Sequence, residues 1–163
     1  MVAGRYMGVL FDMALAELLG AKGRTYGFTS IDLSRMLEDV SDGAEVTATI
    51  VETMMGVTLA AEDSVRVRGL ARAIVMRSVR LIAATFVGTL WQVTGGGEVR
   101  PQHIAVDGSV YEKMPLVKET MSCAFAELLG EDAAKVDTML ACGGSGLGAA
   151  LAAAMAERGR GRT

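Results

Sequence analysis

The sequence is short of the residues that build several classes of site. It has two cysteines, Cys123 and Cys142, far apart, and one histidine, His103. Neither cysteine has a second cysteine or a histidine at ligand spacing, so a zinc site is excluded. At most one disulfide could form and no secretory signal opens the chain, which sets the expectation of a reducing, cytoplasmic location. Proline occurs only twice, which argues against a proline-rich or disordered chain. Aromatic residues supply 5% of the sequence, leaving Ala, Val, Leu and Met to fill the core. No basic excess exists, since 16 Lys and Arg face 19 Asp and Glu for a net charge of −3. A nucleic-acid partner is therefore not expected. Apolar runs are also limited. Leu81 to Val93 covers 13 residues, below the roughly 20 that a membrane helix needs. Met139 to Ala156 is longer but interrupted by four glycines. No membrane partner is expected.

What is present fits helices joined by glycine turns. The chain has 163 residues, enough for one domain, with 51% hydrophobic residues and 20 glycines. Leu10, Met13, Ala14 and Leu18 recur at helical spacing and predict a helix over Tyr6 to Leu19, ended by Gly20. Thr29 or Ser30 is a candidate N-cap for a short helix through Leu37. A polar turn at Ser41-Asp42-Gly43 precedes a third helix over Ala44 to Met55, stopped by Gly56. The longest helix is predicted over Glu62 to Val93, with Leu70, Ile74, Leu81, Thr85 and Leu90 near one stripe and Ala71, Val75, Ile82 and Phe86 beside it. Gly95-Gly96-Gly97 breaks it.

The texture then changes. His103 to Val106 reads as a strand, followed by Asp107-Gly108-Ser109. A helix over Pro115 to Leu129 follows, with proline at its first turn and Gly130 after its end. Val136 to Ala141 reads as a second strand, and a helix of Ala and Leu runs from the next glycines to Arg158, with a frayed tail over Gly159 to Thr163. Strand, helix, strand, helix implies a parallel pair in an α/β layer. Two strands alone rarely form a stable sheet, so the sequence reads as part of a larger domain.

Gly144-Ser145-Gly146-Leu147-Gly148 leaves the second strand and opens the last helix. Glycines there let backbone approach a ligand, and the unpaired N–H groups of a first helical turn favour an anion or a nucleotide. No Lys-Ser/Thr pair follows, which excludes a Walker loop. Too little chain remains for the ribose-binding acid of a dinucleotide fold. From the glycines alone, a plain strand-to-helix turn without a ligand stays open.

The wider pattern resembles the hexokinase family. His103-Ile104-Ala105-Val106-Asp107-Gly108-Ser109-Val110-Tyr111, then about thirty residues, then Gly144 to Leu151 is similar to the family's "VDGS-Y" strand end and "DGSG-GAAL" turn. Gly4-Arg5-Tyr6-Met7-Gly8 resembles its "SG-YLGE" helix start, with Val9 where the family usually has Glu. Phe28-Thr29-Ser30-Ile31-Asp32-Leu33-Ser34 resembles a family segment near the nucleotide. The resemblance is strongest in the C-terminal third and weakest from Glu38 to Gly97.

This resemblance implies an incomplete actin-like ATPase (ribonuclease H-like) domain, α/β and helix-rich, with residues 1–158 forming the C-terminal part of a hexokinase-type large domain. It implies ATP as cofactor, with Mg2+ held through the phosphates, and a hexose substrate in the full-length enzyme. Gly144, Ser145, Gly146, Leu147 and Gly148 would line the adenosine side of the site, and Gly4, Arg5, Ser30 and Ser34 would lie near the nucleotide. Animal hexokinases often carry Lys or Arg where this chain has Leu147, whereas the plant-like pattern is aliphatic there. The family's "LDLGGTN" phosphate loop, the "NDTVGT" segment with the catalytic Asp, and the "GTGTNA" turn are not in this sequence. No catalytic residue is therefore assigned. The implied partners are the missing N-terminal kinase segment or a second copy of the chain.

Other residues read more plainly. Arg66, Arg68, Arg72, Arg77 and Arg80 are interleaved with apolar residues at helical spacing and predict a solvated helix face. Asp107 is expected to cap its loop, and His103 to be structural or solvated. Cys142 is read as a buried inert thiol, with oxidation sensitivity as the alternative. Trp91 and Phe86 are expected to anchor the long helix, and the methionines to fill the core. Glu38 and Asp39, as sequence neighbours, are expected to point apart.

Overall fold

The computed structural model describes residues 3–141 and 143–160, with only the backbone of residue 145 and of residues 156–160. Cys142 and residues 161–163 lie outside the described residues, and so do the expectations attached to them. The elements are α1 (Gly4–Leu18), α2 (Ser30–Glu38), α3 (Glu45–Met55), α4 (Ala61–Val93), β1 (Gln102–Val106), α5 (Ser109–Lys113), α6 (Val117–Leu129), a 3-10 turn (Gly130–Lys135), β2 (Val136–Leu140) and α7 (Gly144–Arg160). Gly159 and Arg160, expected in the frayed tail, continue α7.

Helix α4 is the organising element. Its 33 residues span about 50 Å, and α1, α2, α3 and α6 all pack on it. Its buried stripe is Ser64, Val67, Ala71, Ile74, Val75, Ser78, Val79, Ala83, Val87 and Leu90. Leu81 is exposed and so is Thr85, which corrects the predicted stripe. The seam is mainly Val, with Ile74 and Leu90, and Ala71, Ala83, Ser64 and Ser78 let the neighbouring helices approach closely. The two buried hydroxyls are satisfied locally, Ser64 by the carbonyl of Ala60 and Ser78 by that of Ile74. By length and composition α4 is also long and apolar enough to cross a membrane, which corrects the expectation that no run qualifies. Phe86 packs against the core as expected, but Trp91 is 49% exposed and does not anchor the helix. The arginine face is solvated only in part. Arg66 pairs with Glu62 and Asp63, and Arg80 with Glu127, whereas half-buried Arg68 donates to the carbonyls of Asp39 and Ser41.

The buried face of α1 also differs from the expected one. Met7, Gly8, Phe11, Asp12, Leu15 and Ala16 are buried, while Met13 and Leu18 are exposed. A carboxylate in the stripe hid it from an apolar count. Asp12 is 4% exposed and accepts hydrogen bonds from the backbone N–H groups of Tyr26 and Gly27 at 2.8–2.9 Å. Phe11 meets Phe28 edge-on, with ring centroids 5.0 Å apart. Together these contacts hold the segment before α2 against α1. Thr29, rather than Ser30, caps α2, and Asp32 completes a capping box.

Strands β1 and β2 pair in parallel, from Gln102 opposite Val136 to Val106 opposite Leu140. The helix predicted over Pro115 to Leu129 is α6, and a short helix, α5, precedes it where the sequence reading placed none. Pro115 holds Met114 in an extended conformation (φ −77°, ψ 129°), and Leu116 at φ 66° resets the chain before α6 starts. Pro115 therefore precedes α6 instead of opening it. Methionines fill the core at Met7, Met36, Met114 and Met121, but Met13, Met139 and Met155 are exposed.

Candidate functional site

The carboxyl ends of the two parallel strands define where the candidate residues collect. β1 runs out into Asp107, Gly108 and α5, and β2 runs out into Ala141, Gly143 and α7. The N–H of Ala141 donates to the carbonyl of Val106 at 2.9 Å, so the two exits stay side by side. Ligands of parallel α/β sheets collect at this end. Tyr111 fastens α5 to the sheet, its hydroxyl donating to Thr138 Oγ1 at 2.7 Å.

Gly4 begins α1 at this end. A Cβ built on it would lie 2.9 Å from Val110 Cγ2 and 3.2 Å from Ser30 Oγ. The starts of α1, α2 and α5 therefore converge. Ser30 and Ser34 share a pocket of about 190 Å³ with Ser109, Val110 and Lys113. Ser34 also donates to Glu38 at 3.2 Å. A neighbouring cleft of about 330 Å³ brings Gly4 together with Asp107, Gly108, Ser109 and Ser78. Asp107 is exposed there. Arg5 is exposed on α1.

The α7 glycines are placed differently from a loop that cradles a ligand. Gly143 takes φ 68° and makes the turn, while Gly144 to Gly148 already belong to the first turns of the helix. Nothing lies within 4 Å of the Cβ positions of Gly146 and Gly148. The fold demands glycine at neither position, and the face they present is open to a ligand. The 190 Å³ pocket of Ser30 and Ser34 does not include these glycines. Every residue of α7 from Gly146 to Met155 is exposed, and Leu147, Leu151 and Met155 form an apolar stripe at 74%, 61% and 66% exposure.

In the sequence Ser109 stands out only as part of the strand-end motif, and Lys113 not at all. A five-residue helix is too short to show periodicity, and only the tertiary fold turns it toward α2. His103 is exposed, its Nδ1 beside the Asp137 carboxylate at 2.5 Å. Glu38 and Asp39 do point apart: Glu38 accepts from Ser34, whereas Asp39 is buried and accepts from Ser41 and Thr47. Among the described residues, no three His, Cys, Asp or Glu side chains could hold a metal ion.

The hexokinase family model matches residues 1–155. Hexokinase-7 of Oryza sativa subsp. japonica is 38% identical over 126 residues, covering 76% of this chain and 25% of its own length. Hexokinase-1 of Schizosaccharomyces pombe (strain 972 / ATCC 24843) is 30% identical over 175 residues, covering 100% of this chain and 35% of its own length. A solved structure described as a crystal structure of hexokinase superposes with a TM-score of 0.70 at 24% identity, over 86% of this chain and 33% of that one. The chain thus spans between a quarter and about a third of these relatives. The two-stranded parallel pair within a helix-rich layer is a partial actin-like kinase fold. With a family match over nearly all of its length, the chain belongs to the hexokinase family.

Proposed function

We propose that this chain is the C-terminal nucleotide-binding segment of an ATP-dependent hexokinase, which transfers phosphate from ATP to the 6-hydroxyl of glucose or a related hexose. One observation carries the reading: Gly4, Ser30 and Ser109 meet at the strand ends from which the open first turn of α7 also departs. The Gly144 and Leu147 N–H groups of that turn already donate to the carbonyls of Ala141 and Gly143, and what suits adenosine is the Cβ-free face at Gly146 and Gly148, which lets a flat group approach the backbone. The open positions at Gly146 and Gly148 fit such a group, because a side chain there would fill the approach. Mg2+ would arrive with the phosphates and neutralise charge that develops on them. This chain's own residues would bind and orient the nucleotide. The catalytic base and sugar contacts would come from a complementary kinase segment, in a cytoplasmic enzyme. The exposed stripe of Leu147, Leu151 and Met155 supports association with that segment or with a second copy.

Two measurements test this. A positioned base contributes about 10²–10⁴-fold, so the purified chain should bind ATP yet show no ATP- and hexose-dependent turnover in a coupled assay. Turnover by the chain alone would refute the division of labour. The second uses Gly146→Ala. Alanine is the better helix former by about 1 kcal/mol and meets no neighbour here. The variant should therefore be as stable as the parent or slightly more so, while binding ATP at least several-fold more weakly. Unchanged affinity would reduce the glycines to a plain turn.

A further inference from the structure

We propose that this chain forms a two-fold symmetric dimer in which the exposed face of α4 around Ala84 packs antiparallel on the same face of a second copy. Arg77, Ala84 and Trp91 are spaced by seven residues, so they share one face of the helix at intervals of about 10 Å. All three are exposed. Trp91 is the single tryptophan, and it stays 49% exposed beside the core rather than in it. Tryptophan and arginine are enriched among the residues that anchor interfaces. Among the described residues Arg77 has no hydrogen-bond or ion-pair partner, whereas Arg80 is held by Glu127. Leu81 and Leu128, 42% and 41% exposed, broaden the face, and with Arg77 and Ala84 they line a groove of about 440 Å³ between α4 and α6. The symmetry of this pattern identifies the occupant. A two-fold interface needs a surface that is its own complement. With the axis at Ala84, an antiparallel copy sets each Arg77 opposite the Trp91 of the other, because both lie seven residues from the axis. A guanidinium over an indole face is a favourable pair, and here it forms twice. Gly88, next along the face, has no atom within 4 Å of its Cβ position. Nothing within the chain requires glycine there, where alanine is the better helix former, and its small size leaves room for a facing helix.

Sedimentation velocity of the purified chain, run across roughly 1–500 μM because a helix-pair interface is small, should show reversible dimerisation. Trp91 emission should move to shorter wavelength over the same range. Trp91→Ala should weaken the dimer by about thirtyfold and Arg77→Gln by about two- to fivefold, both at unchanged Tm, since neither side chain is buried. A cysteine at the axis gives a second reading. In a chain whose Cys123 and Cys142 are replaced by Ser, Ala84→Cys should form an intermolecular disulfide on mild oxidation, because a residue on the axis meets its own copy. Thr89→Cys, exposed on another side of α4, should not. A chain that stays monomeric at the highest concentration overturns the proposal, as does equal crosslinking of the two cysteines. A dimer that survives Trp91→Ala but is lost in Leu151→Lys assigns the contact to the α7 stripe and also overturns it.

Discussion

Gly8→Ala should destabilise the chain by roughly 2–3 kcal/mol, the balance of two opposing effects. Alanine is favoured over glycine inside a helix by about 1 kcal/mol. Against this, the new Cβ would lie 2.4 Å from the Phe28 carbonyl oxygen and 2.8 Å from Thr29 Cα. Both are backbone atoms, so no side-chain rotation relieves the clash. Overpacking, backbone shifts included, typically costs about 1–3 kcal/mol and occasionally more; a contact of 2.4 Å with a backbone oxygen belongs at or above the top of that range, about 3–4 kcal/mol, so the clash wins. In a 163-residue chain each kcal/mol lowers Tm by about 2–4 °C, and thermal unfolding should show a drop of roughly 4–12 °C. The displaced segment carries the Thr29 cap and Ser30, so ATP affinity should fall as well. A Tm at or above that of the parent would show that α1 and the α2 entry are not held in contact as described. The neighbouring Gly4 serves as a contrast, because its nearest neighbour is the end of the Val110 side chain, which can rotate away.

Asp39→Ala should cost about 3 kcal/mol, and acid should mimic part of that loss. Asp39 is 7% exposed and accepts hydrogen bonds from Ser41 N, Ser41 Oγ, Thr47 N and Thr47 Oγ1. Truncation would strand these donors and the half-buried Arg68, whose guanidinium sits 4.0 Å from the carboxylate. Hydrogen bonds to a charged group contribute about 1.5–3 kcal/mol each before relaxation, and a buried pair broken on one side costs about 3–5. Partial exposure of Arg68 places the expectation at the low end. Burial pushes the Asp39 pKa up, but the hydrogen bonds from Ser41 and Thr47 outweigh it and leave the pKa below 3.8. A carboxylate with a depressed folded pKa stabilises fully above its unfolded value, near 3.9, and loses that contribution as pH falls through the folded pKa. Parent stability should therefore fall below about pH 4. Asp39→Asn cannot titrate at this position and should show a shallower acid slope below about pH 4. Equal slopes would remove Asp39 from the account of acid sensitivity.

Neither of these sites stood out in the sequence. Gly8 was visible only as part of a motif, because its demand comes from Phe28, twenty positions away. Asp39 was read correctly as turned away from Glu38, but its partners Thr47 and Arg68 lie on other helices. Asp12 had the largest effect on the reading of α1. A buried carboxylate breaks an apolar stripe, so the count favoured Leu10, Met13 and Leu18 over the face that is buried. On α4 the count found Ala71, Ile74, Val75 and Leu90 but also took in Leu81 and Thr85, which are exposed, and missed the buried Ser64 and Ser78.

The sequence by itself determined the order of the longer elements, the glycine breaks, the parallel strand pair and the membership of the hexokinase family. These rest on local preferences and on short motifs, which the chain carries wherever it folds. The tertiary structure decided which helix faces are buried, that α5 exists, and that Ser109 and Lys113 stand beside Ser30. Those outcomes depend on contacts between residues tens of positions apart, where a partner's shape and hydrogen-bonding groups override the local pattern.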